Sequence, residues 1–439
     1  MPHDLLVPEL DQITKPVFAQ RIPPVSQMAR GLVGSEILKI AADIRAMVAE
    51  GHTICNLTVG DFNPKYFPIP AVLRKSIEAA LQAGETNYPP SDGMLQLRKA
   101  VKSFYERRLG LDYPLESFII TGGARPAIYA TYQALINEGD KVVYPIPSWN
   151  NNHYCHISGA TSESVICRAE DAFLPTRKLL EGSLQDAKLL SLCSPLNPTG
   201  TAFTRRALEG ICDLVLEENA RREPGERPLT IMYDQIYWML TFGDTVHYNP
   251  VSLRPELAPN TIFVDGISKA FAATGVRVGW IVAPPDIAAS MSNILGHVGA
   301  WAPRAEQVAT AALLLDDDAI DSYHAHMISE VEARLNLLFD GIQELHNNGH
   351  PINAIPPMGA IYLTVQFDLI GRRTPNGKVL QTNEDIRKYL LAEARLAVVA
   401  FQAFGSEENT GWFRLSAGAV SIDEIGEMLP RLRKALEII

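Results

Sequence analysis

Lys269 stands in the run Ser268-Lys269-Ala270-Phe271, directly after the apolar stretch TIFVDG. A lysine at the end of a buried strand holds its proton less tightly and can form a Schiff base with a carbonyl. Asp234-Gln235-Ile236-Tyr237 closes a second apolar run, TIM. A carboxylate there is costly to bury unless a cation compensates it, and a heteroaromatic N–H⁺ does so. Tyr237 can donate to a phenolate oxygen. Gly122-Gly123-Ala124-Arg125 reads as a turn from strand to helix, whose exposed N–H groups suit a phosphate. Arg277, in TGVRVG, brings a guanidinium suited to the same anion. In SPLNPTG the turn fixes the amide of Asn197, and in YPIPSW an aromatic plate, Trp149, can stack on a planar ring.

Each feature has a plainer reading alone. These are a surface lysine, a capping aspartate, a βα turn with glycines, a core tryptophan and a Pro/Gly turn. As one set they offer an imine-forming lysine, a carboxylate for a ring nitrogen, a phenol, an amide, an aromatic plate and a phosphate cup. That set fits pyridoxal 5′-phosphate.

Such residues must be carried on strand ends, where the crevice of an open parallel sheet lies. From about residue 117 to 320 the chain alternates β-branched runs with helical patterns: SFIITGG, KVVYPIP, KLLSLCSP, LTIMYD and NTIFVDG as strands, ARPAIYATYQALI and RRALEGICDLVLEEN as helices. This predicts βαβ units in an α/β fold, a mostly parallel sheet with helices on both faces. Residues 1–34 read as irregular, broken by Pro16, Pro23 and Pro24. Ser35 to Glu50 reads as a helix capped by Ser35, with Ile37, Leu38, Ala41, Ile44 and Met47/Val48 at helical spacing. A strand is expected over Ile54–Val59, a loop over GDFNPKYFPIP, and helices over Pro70–Ala83 and Met94–Leu109. Residues 320–350 read as one long helix. The strands AIYLTVQF, LAVVAFQ and GWFRLSAG and a final helix SIDEIGEMLPRLRKALEII follow, which suggests a smaller α+β lobe. The stretch EENARREPGERP reads as a solvated loop.

The ordered landmarks NYPPSDGMLQLR, TGGARPA, PIPSW, SPLNPTG, YDQIY, GISKAFAATGVRVGW, PPMGAIYL and WFRLSAG run from about residue 35 to the end. On these the sequence resembles the class I/II aminotransferases, fold type I pyridoxal-phosphate enzymes, and looks closest to the aspartate aminotransferases of bacteria. The resemblance implies an N-terminal segment 1–70 contributing to a small domain, a large cofactor-binding domain 71–318 and a C-terminal small domain 319–439. It implies that Lys269 holds the cofactor and that Asp234 partners the pyridine nitrogen. Tyr237 and Asn197 then donate to its phenolate oxygen, and Trp149 stacks on the ring. Ala124, Arg125 and Arg277 contact the phosphate, and Tyr88 reaches the phosphate of a neighbouring subunit. Arg414 clamps the substrate α-carboxylate and Gly60 approaches it by its backbone. The implied reaction is ping-pong transfer of an amino group from an L-amino acid, aspartate-like, to a 2-oxo acid by a homodimer with shared active sites. Arg304 is a candidate for a distal carboxylate. The chain departs from the family pattern in the loop after Gly60, at Val276 and in HVGAWAPRAEQ. Aromatic or branched-chain amino acids are the next substrates to consider. Lyase or synthase chemistry on the same fold, and a ligand-sensing regulator, are the rival classes.

Composition narrows the alternatives. The 439 residues carry 39 Lys and Arg against 50 Asp and Glu, a net charge of −11, so no whole-protein basic footprint for nucleic acid is expected. No run of 18 apolar residues predicts a membrane span, and MPHDLLVPELDQ lacks the apolar core of a signal peptide. Five scattered cysteines without a CxxC pair fit a reducing compartment, so a cytoplasmic location is expected. His153/His156 and His324/His326 lack the carboxylate or cysteine partners of a metal site, and no metal is expected.

Overall fold

The computed structural model describes residues 24–32, 34 and 36–439. Residues 24–32 belong to one unit and the remainder to a second. In the first, a one-turn helix spans Gln27–Gly31, and the Ser26 side chain caps it by accepting from the Ala29 N–H (3.2 Å). The expected irregular segment through residue 34 fails here: the proline breakers stop at Pro24, and a capping serine follows. In the second unit the expected early helix spans Glu36–Ala49. Ser35, its expected cap, and the side chains of Ile37 and Leu38 lie outside the described residues.

Among the described residues, the large sheet holds seven strands: β2 (Phe118–Thr121), β3 (Lys141–Ile146), β4 (Thr161–Ile166), β5 (Ala187–Cys193), β6 (Thr230–Asp234), β7 (Thr261–Gly266) and β8 (Gly279–Val282), in the order β2-β8-β7-β6-β5-β3-β4. Only β8 runs against its neighbours. Side chains alternate between the two faces of a strand. On one face Phe118, Ile120, Ile231, Tyr233 and Phe263 join a core with the helices Leu95–Leu109 and Arg205–Ala220. On the other, Ile119, Met232, Ile262 and Val264 pack on the helices Ala124–Leu135 and Pro285–Val298. Both faces are covered, as a parallel sheet requires. This is the fold type I architecture expected from the sequence.

A smaller antiparallel sheet has the order β12 (Val399–Ala400), β13 (Trp412–Ser416), β10 (Tyr362–Phe367), β9 (Ile352–Ile355). The helices Asp317–Asn347 and Ile422–Glu437 share its core through Val331, Leu335, Leu338, Met428 and Leu432. A two-residue parallel pair, β1 (Cys55–Asn56) with β11 (Leu396–Ala397), joins early and late chain. The strand expected over Ile54–Val59 is cut short because the Asn56 side chain accepts from both Thr58 N (3.2 Å) and Thr58 Oγ1 (2.6 Å). Such a local turn competes with the ladder. The expected strand LAVVAFQ is likewise split, since Leu396–Ala397 pairs with β1 and Val399–Ala400 with β13.

Candidate active site

The C-terminal ends of the parallel strands open onto a cavity of about 660 Å³, lined among others by Gly60, Trp149, Asn197, Asp234, Lys269 and Arg414. The structure therefore gathers residues that lie hundreds of positions apart. Ala124, Arg125, Tyr237 and Arg277 line it as well.

Lys269 follows β7 through a one-turn helix, Ile267–Ala270. Its Nζ donates to the Gly60 carbonyl (2.5 Å) and lies 5.7 Å from the Tyr237 ring centre. Burial pushes its pKa down to about 8, with Asp61 opposing and three arginines assisting. Asp234 ends β6 and accepts from the Ile236 N–H (3.0 Å). Burial raises it to about 6, and neither that N–H nor Lys269 fully offsets this. It has no salt bridge among the described residues, so a cationic guest would be its missing partner.

The turn Gly122-Gly123 leads into the helix Ala124–Leu135, whose first residues Ala124 and Arg125 line the cavity. Gly123 has φ +93°, and the Arg277 guanidinium fills the space a Cβ would take. Arg277 donates to the carbonyls of Thr274 (2.6 Å) and Gly122 (2.9 Å). A helix N-terminus and an arginine thus form a cationic end suited to an anion. Arg125 lies over the Trp149 ring, 5.4 Å from its centre, and has no carboxylate partner among the described residues.

Arg414, on β13, is 1% exposed. Its guanidinium lies over the rings of Tyr362 (4.7 Å) and Phe404 (4.8 Å). Nη1 donates to Asn197 Oδ1 (3.0 Å) and Nη2 to the Thr58 carbonyl (2.7 Å), while Nε has no partner. A Cβ on Gly60 would meet the Tyr362 hydroxyl at 2.9 Å, so this backbone approach needs glycine. Tyr237 and Tyr362 share a hydrogen bond of 2.6 Å, and burial lifts the pKa of both phenols.

Tyr88, expected at the phosphate of a neighbouring subunit, and Arg304, the candidate for a distal carboxylate, do not line this cavity. Tyr88 is 82% exposed and stands edge-on to Trp301 at 5.4 Å. Arg304 is ion-paired with Glu85 and lies outside the cavity lining. Three contributors escaped the sequence reading. Tyr362 lies in the landmark PPMGAIYL, which was a signal for it. Phe404 shows no spacing that sets it apart. Asp61 is tied by the Thr274 hydroxyl (2.7 Å) and Phe62 N–H (2.8 Å), and its position after Gly60 was the only hint.

Comparison with known proteins gives one family. The family model described as aminotransferase class I and II matches residues 52–432. A probable aspartate/prephenate aminotransferase of Rhizobium leguminosarum bv. phaseoli is 30% identical over 403 residues, 91% of this chain and 95% of that protein. The aspartate aminotransferase of Geobacillus stearothermophilus is 27% identical, covering 94% of this chain and 99% of its own. Among solved structures, the aspartate aminotransferase from Rhizobium meliloti superposes with a TM-score of 0.85 at 27% identity, over 94% of this chain and 99% of that one. The aromatic aminotransferase from Pyrococcus horikoshii OT3 does so with a TM-score of 0.78 at 26% identity, over 90% and 98%.

Proposed function

The chain belongs to the class I and II aminotransferases, and from that premise we propose that it moves the amino group of L-aspartate or a close analogue to a 2-oxo acid, with pyridoxal 5′-phosphate as cofactor. The observation that carries this reading is one cavity holding an enclosed amine, Lys269, and an enclosed carboxylate without a cation, Asp234. The residues of the cavity fit the cofactor: a glycine turn with Arg277 for a phosphate, and Asp234 for a protonated ring nitrogen. Once bound, the cofactor supplies an electron sink for the pair of electrons left when the α-proton departs.

The protein's own groups do the rest. Arg414 lines the cavity with its guanidinium against the rings of Tyr362 and Phe404, and binds the α-carboxylate. Asn197 and the Thr58 carbonyl fix its plane, so the amino acid enters in one orientation. Trp149, in the cavity lining, would stack on the ring of the cofactor. Lys269, with a pKa of about 8, is substantially neutral near that pH and can take the α-proton and return it. Asp234 stays ionised beside a cationic nitrogen.

Aspartate is favoured by the names of the relatives and by the unmatched cation Arg125 at the cavity wall. Arg304 already has Glu85. Arg125→Ala should separate two roles. A selective loss of kcat/KM for aspartate over alanine assigns it to a side-chain carboxylate; loss of cofactor affinity assigns it to the phosphate. We read the chain as a homodimer in which Tyr88, exposed and outside its own cavity, completes a neighbour's site. Mixing Tyr88→Ala with Lys269→Ala chains should restore activity that neither has alone. A cytoplasmic location is supported by five free cysteines, and no helix among the described residues is long and apolar enough to cross a membrane.

The deciding experiment is the absorbance spectrum of the protein with added cofactor, titrated with single amino acids. Conversion by aspartate to the pyridoxamine form, and its reversal by a 2-oxo acid, is the expected result. A band that no amino acid cycles would move the reaction to lyase or synthase chemistry. No band at all would remove the reading.

A further inference from the structure

Behind the cavity, on the opposite face of the large sheet, lies a buried polar cluster that the reaction does not use. Tyr105, from the helix Leu95–Leu109, Gln235, Asp265 and Trp280 are each 0–1% exposed. The Tyr105 hydroxyl donates to Asp265 Oδ2 (3.0 Å) and accepts from Gln235 Nε2 (3.1 Å) and Trp280 Nε1 (3.1 Å). Asp265 Oδ2 also accepts from Trp238 Nε1 (3.0 Å), and Oδ1 from the Gly266 N–H (2.7 Å). His247 Nε2 meets Gln235 Oε1 at 3.3 Å.

The cluster's members are chain neighbours of the cavity groups. Gln235 follows Asp234, Trp238 follows Tyr237, and Asp265 opens the turn to Lys269. Alternation along β6 sends Asp234 to the cavity side with Met232 and leaves Tyr233 on the rear, where Tyr105 also packs. An apolar plug of equal volume would hold such a space at least as cheaply. Directional bonds instead fix the relative position of the strand ends that carry them.

We propose that Asp265 and Tyr105 are positioning residues, a rear clasp that holds the Lys269 turn in register with the Asp234–Tyr237 segment. This rests on the aminotransferase reading, and the wild-type protein tests that separately: if it shows no cofactor band, the reading fails rather than the clasp alone.

The test compares the holoenzyme with Tyr105→Phe, which removes one oxygen, and Asp265→Asn. Leu432→Ala, in the core of the small sheet, is the control for lost stability. Both clasp variants should lower kcat about tenfold to a hundredfold, with KM for the amino acid kept within about twofold. They should also change the visible circular dichroism of the cofactor band, which reports ring orientation. In the apo protein, amide exchange over residues 234–238 and 266–270 should quicken, while β3 stays unchanged. Leu432→Ala should lower the melting temperature without these changes. Unaltered kcat, dichroism and exchange in folded Tyr105→Phe and Asp265→Asn would overturn the proposal.

Discussion

Arg414 and Lys269 illustrate how burial sets chemistry at a single side chain. Arg414 sets a planar guanidinium over the rings of Tyr362 and Phe404, a contact a lysine ammonium cannot reproduce. Arg414→Lys should therefore raise the KM for the amino acid by about tenfold to a hundredfold (~1.4–2.8 kcal/mol). Its effect on cofactor affinity should be small, and an unchanged KM would detach Arg414 from substrate. Lys269 reacts only as the neutral amine. The rate at which the apo protein captures pyridoxal phosphate should rise with pH through a midpoint near 8, not near 10.5. Stopped-flow absorbance across that range measures it. Lys269 was legible in the sequence because it follows an apolar run, whereas Arg414 was reached through the family resemblance of WFRLSAG. The rings that flank Arg414 were less so: Tyr362 and Phe404 come from separate segments and meet only in three dimensions.

Legibility at the scale of elements follows the strength of local signals. The final helix was readable because Ser421 and Glu424 form a capping box and Ile425, Met428, Leu432 and Leu436 make one buried stripe. Ser421→Ala should cost about 1 kcal/mol, read as a lower denaturant midpoint with unchanged slope. The long helix starts at Asp317 rather than 320, and the capping Asp316 with Asp317 and Asp318 in the first turn was the overlooked signal. The edge strand β4 went unread. Its TSESVI sequence is mostly exposed and polar, so it carries no apolar periodicity, and β3 alone pairs it into the sheet. The site's carriers β5, β6 and β7 were clear for the opposite reason: sheets covered on both faces demand continuous apolar runs.

Across the whole molecule, buried titratable groups tie stability to pH. His324 is 6% exposed, packs against Phe271 at 5.2 Å and has no partner for either ring nitrogen. Burial pushes it down to about 4, with Asp321 opposing. Unfolded, a histidine titrates near ~6.5. Between these values the unfolded chain binds a proton that the folded chain does not, so stability falls as pH falls through the window and levels off near 4. The full loss from this group is on the order of 3 kcal/mol. His247, lowered to about 3 by burial, adds in the same direction. Asp265, raised to about 7, opposes both, because it loses stability as pH rises from about 4 toward that value. His324→Phe should make the acid arm of a denaturation profile shallower than in the wild type; an equal slope would show that the ring titrates normally. A last consequence concerns how the chain is made. β1 pairs with β11, and Arg414 reaches back to Thr58 and Asn197. A ribosome delivers residues in order, so Lys269 and Asp234 emerge and can fold within the large sheet well before β11 and β13 exist. Throughout that interval the early segment at residues 55–60 has neither its pairing strand nor its arginine. The growing chain thus presents the lysine and the aspartate meant for a cofactor first, and the arginine meant for an amino acid only near the end of translation.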